Sequence, residues 1–179
     1  VGFLRGHSSI DPARIGVVGH SEGAYIASML ASEDPQIAAC VVMAGASTTL
    51  DKVMIEQIEC QATCDELDET ARSLAAGILP AVKQFVQDAR DNKSSSAVPG
   101  NLEWLREHMQ IDPVRQMQAI RVPILIVHGD KDLKVKPYHA RVLAEAARRV
   151  GNRGVTLVCL PNTTHEFLEW PYRNPNFDP

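Results

Sequence analysis

No apolar run in this chain of 179 residues approaches the ~20 residues that a helix needs to cross a bilayer, so the sequence offers no candidate membrane span. It has no excess of basic charge either. Its 18 Lys and Arg against 22 Asp and Glu leave a net charge of -4, which gives a nucleic-acid backbone nothing to bind. No signal-peptide pattern opens the sequence. The chain begins at Val1 without an initiator Met and reads as starting mid-domain, so cytoplasmic and exported locations both stay open. No internal repeat recurs. Cysteine is sparse: four residues, none at a zinc-binding spacing. Cys40 and Cys159 lie in apolar runs and are expected to be small buried hydrophobes. Cys60 and Cys64 stand one helical turn apart, a spacing that suits a disulfide poorly, and read as half-buried thiols.

What is present is enough apolar residue, 45%, for one globular domain with a substantial core. Four apolar runs read as buried strands: Arg14 to Val18, Ile37 to Met43, Pro123 to His128 and Val155 to Leu160. A nearly all-apolar helix is expected from Ser21 to about Leu30, stopped by Asp34-Pro35. Asp112-Pro113 is an N-cap followed by Pro at the first helical position, and predicts a short helix to about Ala119. Pro137 opens another helix, with Leu143, Ala146, Ala147 and Val150 inward and Gly151 ending it. Phe167 to Trp170 reads as a last helical turn before a Pro/Asn-rich tail.

Between these, residues 49–110 carry no strand signal. Leu67, Ala71, Leu74, Ala75 and Ile78 recur at helical spacing, as do Leu79, Val82, Phe85, Val86 and Ala89. A polar, Ser-rich loop runs from Asp91 to Gly100, and Leu102, Leu105 and Met109 mark one more helix. Seven acids and two bases lie between Asp51 and Arg72, as expected of a solvated helical face. The division expected is 1–48 as one part of an α/β core, 49–110 as a helical lid or cap insertion, and 111–179 as the rest of the core. Strand-helix alternation makes this an α/β chain with a mostly parallel sheet flanked by helices.

The chemistry gathers at strand ends, where ligands of such sheets bind. Gly19-His20-Ser21-Glu22-Gly23 is a G-x-S-x-G sequence between a strand and a helix. A serine at so sharp a turn sits in strained backbone, and Gly19 and Gly23 are expected to remove clashes around it. The Glu22 backbone N–H lies at the positive end of the following helix, where an oxyanion would be held. A serine hydroxyl needs a base, and His165, past the fourth strand, is placed to be one. A carboxylate on the other ring nitrogen fixes the base's tautomer, and Asp132 is placed for that, with Asp130 competing. Asp130 reads better as a brace for its turn. His20 is expected to point away from Ser21, and His128 to hydrogen-bond the loop that carries the acid. His7, His108 and His139 read as surface residues. Glu22 reads as a helix-start carboxylate rather than a substrate contact.

Three segments together resemble the α/β-hydrolase superfamily, in the branch of dienelactone-hydrolase-like and acyl-peptidase-like serine hydrolases. They are Asp11 to Gly23 at the elbow, His128 to Val135 as an H-G-x-x-D-x-x-V acid loop, and Asn162 to Phe167 as the histidine loop. In that resemblance the aspartate falls on Asp132, and the order Ser, Asp, His matches. It implies a serine hydrolase that cleaves carboxylic esters through an acyl-enzyme. The implied partner is a small-molecule acyl substrate, with no cofactor and no metal. A peptidase, an amidase or an acyltransferase would use the same residues, and a non-catalytic binding protein of the same fold is the alternative of another class. It also implies N-terminal strands ahead of the elbow, with a loop donating a second oxyanion N–H. Only about fourteen residues precede the elbow strand here, and Gly6-His7 is in the wrong order to stand in. The sequence thus reads as the C-terminal portion of an enzyme, expected to be weak or inactive by itself.

Overall fold

The computed structural model describes residues 1–170; the expected Pro/Asn-rich tail lies outside them. A short helix α1 (Gly2–Arg5) and a 3-10 turn (Pro12–Arg14) lead into strand β1 (Val17–His20) and helix α2 (Glu22–Glu33). Strand β2 (Cys40–Met43) follows. Then come α3 (Leu50–Ala62), α4 (Glu69–Arg90), α5 (Leu102–Met109) and α6 (Pro113–Ala119). The chain closes with β3 (Ile124–Gly129), α7 (Tyr138–Arg149) and β4 (Val155–Leu160).

The four strands pair in chain order, β1-β2-β3-β4, all parallel. Parallel order with helical crossovers brings every strand's C-terminal end to one edge, and that edge carries the site. The first two strands are shorter than their apolar runs. The Asp11 side chain accepts the Ala13 N–H and sets the 3-10 turn, which takes up Arg14.

The core lies on one face of the sheet. Ala24, Ala27 and Ala31 of α2, Met117 of α6, and Ala140, Leu143, Ala144 and Ala147 of α7 pack on Cys40, Val42, Ile124 and Ile126. The alanines let helix backbones approach the sheet closely, which is why the sequence of α2 reads as apolar all round. Val150, expected inward, is 42% exposed, because the helix ends at Arg149 and Gly151 turns the chain at positive φ. On the opposite face Val18, Val41 and Leu125 stand in register, with Val18 and Leu125 exposed.

Helices α3, α4 and α5 form a second apolar cluster, with Phe85, Val86 and Ala89 against Leu102 and Leu105, and Leu50, Met54 and Ile55 beside them. A third cluster of Tyr25, Ala46, Val53 and Val135 stitches α3 to the core near the strand ends. The N-terminal half of α4 departs from expectation: its repeating Leu74 and Ile78 face solvent. The acidic face is also less solvated than its composition suggests. Asp51 is buried and takes the guanidinium of Arg90 across from α4, with Nη2 2.5 Å from Oδ2. Phe167 to Trp170 is not a helical turn. Thr163 bridges Glu169 antiparallel, and the Trp170 N–H donates to Asn162 O, so the chain folds back on itself.

Candidate active site

Ser21 is the hinge between β1 and α2. Its φ of 55° and ψ of -117° are sparsely populated for any residue with a side chain, a strain that the surroundings must hold in place. Its N–H donates to Met43 O on β2 at 2.9 Å, and its carbonyl accepts from Ala24 N–H at 3.0 Å. A Cβ on Gly19 would lie 1.9 Å from Gly23 O, so only glycine allows the helix to turn back over the strand. The expectation for Gly23 is different: a Cβ there meets nothing within 4 Å, so this glycine clears no clash among the described residues.

The three strand-end residues converge. Ser21 Oγ is 2.9 Å from His165 Nε2, and His165 Nδ1 is 2.8 Å from Asp132 Oδ2. An ionised carboxylate only accepts, so Nδ1 carries the proton and the Nε2 lone pair faces the Ser21 hydroxyl. Asp132 is held on every side. Its Oδ1 accepts the N–H groups of Lys134 (2.9 Å) and Val135 (2.8 Å), while His128 Nε2 lies 3.2 Å from Oδ2. Burial alone would raise its pKa, but hydrogen bonds from His128, His165 and Val135 outweigh that and hold the carboxyl down at about 2. His128 also donates to Val135 O at 2.8 Å, closing the acid loop as expected. Asp130, expected to brace its own turn, instead accepts the Thr163 N–H of the histidine loop at 3.4 Å.

Two further contacts fix the histidine loop. His20 points away from Ser21, and its Nε2 donates to His165 O at 2.8 Å while its ring lies against Phe167. Gly129 ends β3 where the two loops meet: a Cβ there would sit 2.1 Å from Thr163 O. Gly129 is the glycine of the H-G-x-x-D-x-x-V segment, and this close backbone approach is the reason a glycine stands there.

His139, expected at the surface, is fully buried at the start of α7. Its Nδ1 receives Ser47 N–H at 3.1 Å and lies 2.8 Å from Ser47 Oγ, while Nε2 donates to Glu56 Oε2 at 2.7 Å. An N–H can only donate, so Nδ1 is unprotonated and the ring is neutral. This Ser47-His139-Glu56 chain ties the loop after β2, the start of α7 and helix α3 together. Its Nδ1 already serves a backbone N–H, which leaves it poorly placed to activate Ser47. Burial pushes the His139 pKa below its ordinary value, with Glu56 opposing. An unfolded imidazole, titrating near ~6.5, therefore binds the proton that the folded one refuses. The stability due to this neutral ring is complete above that pH and falls as pH drops below it. His139→Gln should flatten the fall in melting temperature between about pH 7 and pH 5, read by thermal denaturation across that window.

His108 is also buried rather than exposed, and faces Glu22 from α5, where Trp104 Nε1 donates to Glu22 Oε1 at 3.0 Å. His7 is exposed as expected. Cys40 is buried and Cys60 and Cys64 are half-buried, but Cys159 is exposed on the edge strand β4. Among the described residues no three His, Cys, Asp or Glu side chains gather in a cluster suited to a metal. No helix among them is long and apolar enough to cross a membrane.

The family model for "BAAT / Acyl-CoA thioester hydrolase C terminal" matches residues 1–177. No curated protein matches the sequence. The esterase Est1E from Butyrivibrio proteoclasticus superposes with a TM-score of 0.58 at 18% identity, over 93% of this chain and 58% of that one. The Pyrococcus horikoshii acylaminoacyl peptidase gives 0.56 at 14% identity, over 92% and 22%. The Pyrococcus furiosus esterase Pf2001 gives 0.54 at 22% identity, over 89% and 49%. At these identities the likeness is one of fold, and this chain spans well under two thirds of each of those proteins.

Proposed function

We propose a serine hydrolase of carboxylic esters, from the premise that the chain belongs to the BAAT / acyl-CoA thioester hydrolase C-terminal family. The observation that carries the reading is the unbroken chain from Ser21 Oγ through His165 to Asp132, at 2.9 Å and 2.8 Å. Ser21 attacks the acyl carbonyl as His165 Nε2 takes its proton, and the buried Asp132 carboxylate steadies the imidazolium. The Glu22 N–H, unpaired within the first turn of α2, faces the developing oxyanion. His165 then returns the proton to the leaving group. Water, activated by the same imidazole, hydrolyses the acyl-enzyme.

The insertion at 49–110 is the lid in this reading. An apolar recess of about 260 Å³ lies between Leu67, Ala71, Leu74, Ala75 and Ile78 of the insertion and Leu133, the residue after Asp132. It suits the apolar part of an acyl group beside the acid loop. The family description favours thioesters as a second substrate class, with a thiolate leaving group that needs less help from the acid. A panel of nitrophenyl esters, acyl thioesters and aminoacyl anilides of matched chain length separates the readings. Esters or thioesters should turn over fastest. Faster turnover of anilides would place the chain with amidases, and transfer to an added alcohol or amine in preference to water would make it an acyltransferase.

A further inference from the structure

Glu22 joins the elbow to the insertion. Its backbone belongs to α2, next to Ser21, while its carboxylate turns to α5. There Trp104 and His108 stand one helical turn apart on the same face, their rings 4.7 Å apart between centroids. Trp104 Nε1–H donates to Glu22 Oε1 at 3.0 Å, and His108 Nε2 lies 3.0 Å from the same oxygen.

The protonation of His108 follows from its other nitrogen. Nδ1 is 2.8 Å from Trp104 O, and a carbonyl only accepts, so Nδ1 carries a hydrogen. Nε2 is buried and stands 3.0 Å from Glu22 Oε1 without the alignment of a hydrogen bond. Glu103, Arg106 and Glu107 flank His108 on α5. On the helices packed against α5, Asp51 of α3 is engaged with Arg90 of α4. Among the described residues Glu22 is the one carboxylate within 4 Å of a His108 ring nitrogen.

We propose that Trp104 and His108 are positioning residues for the Ser21 centre. They clamp the Glu22 carboxylate, fasten the insertion over the elbow, and hold the residue that supplies the oxyanion N–H. The Trp104 hydrogen bond carries the clamp, and the His108 ring packs beside it against the same oxygen. This rests on Ser21 being the nucleophile, but the clamp itself is measurable without it.

Two readouts test it. The first is the rate at which a fluorophosphonate modifies Ser21 in the purified protein. Trp104→Phe keeps the ring and loses the donor, and should slow modification about fivefold to tenfold at pH 6.5. His108→Leu should do the same. His108→Gln keeps a polar group against Glu22, so it should react near the wild-type rate. Wild-type rates for Trp104→Phe and His108→Leu would overturn the proposal. An unreactive Ser21 in the wild-type protein would instead refute the nucleophile reading. The second readout covers that case. In a Trp170→Phe background, Glu22→Ala should shift the Trp104 emission maximum, because the indole N–H loses its acceptor. An unshifted maximum would overturn the clamp whatever the activity.

Discussion

Ser21→Ala is expected to lower kcat/KM for an activated ester by on the order of 10⁶-fold, with little change in fold. The expectation is that large because Ser21 stands alone at the apex of the elbow. His165 Nε2 has no other hydroxyl within hydrogen-bond distance among the described residues, so no neighbouring group takes over. The backbone strain of Ser21 is carried by Gly19, by the Met43 carbonyl and by α2, all of which remain in the variant. Alanine also tolerates the strained φ no worse than serine, so the melting temperature should stay within a few degrees. A rate loss accompanied by unfolding would point to structural damage rather than a missing nucleophile. Steady-state kinetics and thermal denaturation on the same preparation separate the two.

The second large effect comes from one atom of Asp132. Asp132→Asn is nearly isosteric, yet it should cost about 10⁴-fold in kcat. Lys134 N–H and Val135 N–H both donate to Oδ1, so an asparagine would keep its carbonyl oxygen there. Its NH₂ would then occupy the Oδ2 position and donate to His165 Nδ1. That forces the proton of a neutral His165 onto Nε2, which faces Ser21 and can no longer accept from it. Activity should recover partly at high pH, where hydroxide substitutes for the base, so the pH–rate profile gives the signature. An Asp132→Asn enzyme within tenfold of wild type would remove Asp132 from the mechanism. Asp130→Asn, which disturbs only a contact of 3.4 Å to Thr163, should leave kcat nearly unchanged.

The positions of Ser21, Asp132 and His165 were legible in the sequence because each follows a strong apolar strand. The topology of a parallel sheet brings such positions together without any need to know side-chain contacts. Gly19 was legible for the same reason, as the glycine that a tight turn demands. Gly23 shares the pattern but not the role, since a motif cannot say which of two glycines is sterically required. The histidines show the limit most clearly. His108 and His139 are polar residues on helical segments, and a residue's solvent exposure there depends on what packs against it. His139 meets Glu56 across 83 positions of sequence, and Trp104 meets Glu22 across 82. Such pairings arise only once α3 and α5 have packed against the rest of the chain, and no local periodicity encodes them. Asp51 misled in the same way: its neighbours are solvated acids, and only the return of Arg90 on α4 makes its burial tolerable. Cys159 and Val150 looked apolar enough to be buried, but one lies on an edge strand and the other just past a helix end.

The most direct measurement is the site of covalent modification by a fluorophosphonate, read by peptide mass mapping. One adduct on the peptide containing Ser21 is expected. It should be absent from Ser21→Ala and slowed by orders of magnitude in Asp132→Asn. An adduct on Ser47, which sits in the Ser47-His139-Glu56 chain, or no adduct on a folded protein, would contradict the assignment of Ser21 as the nucleophile.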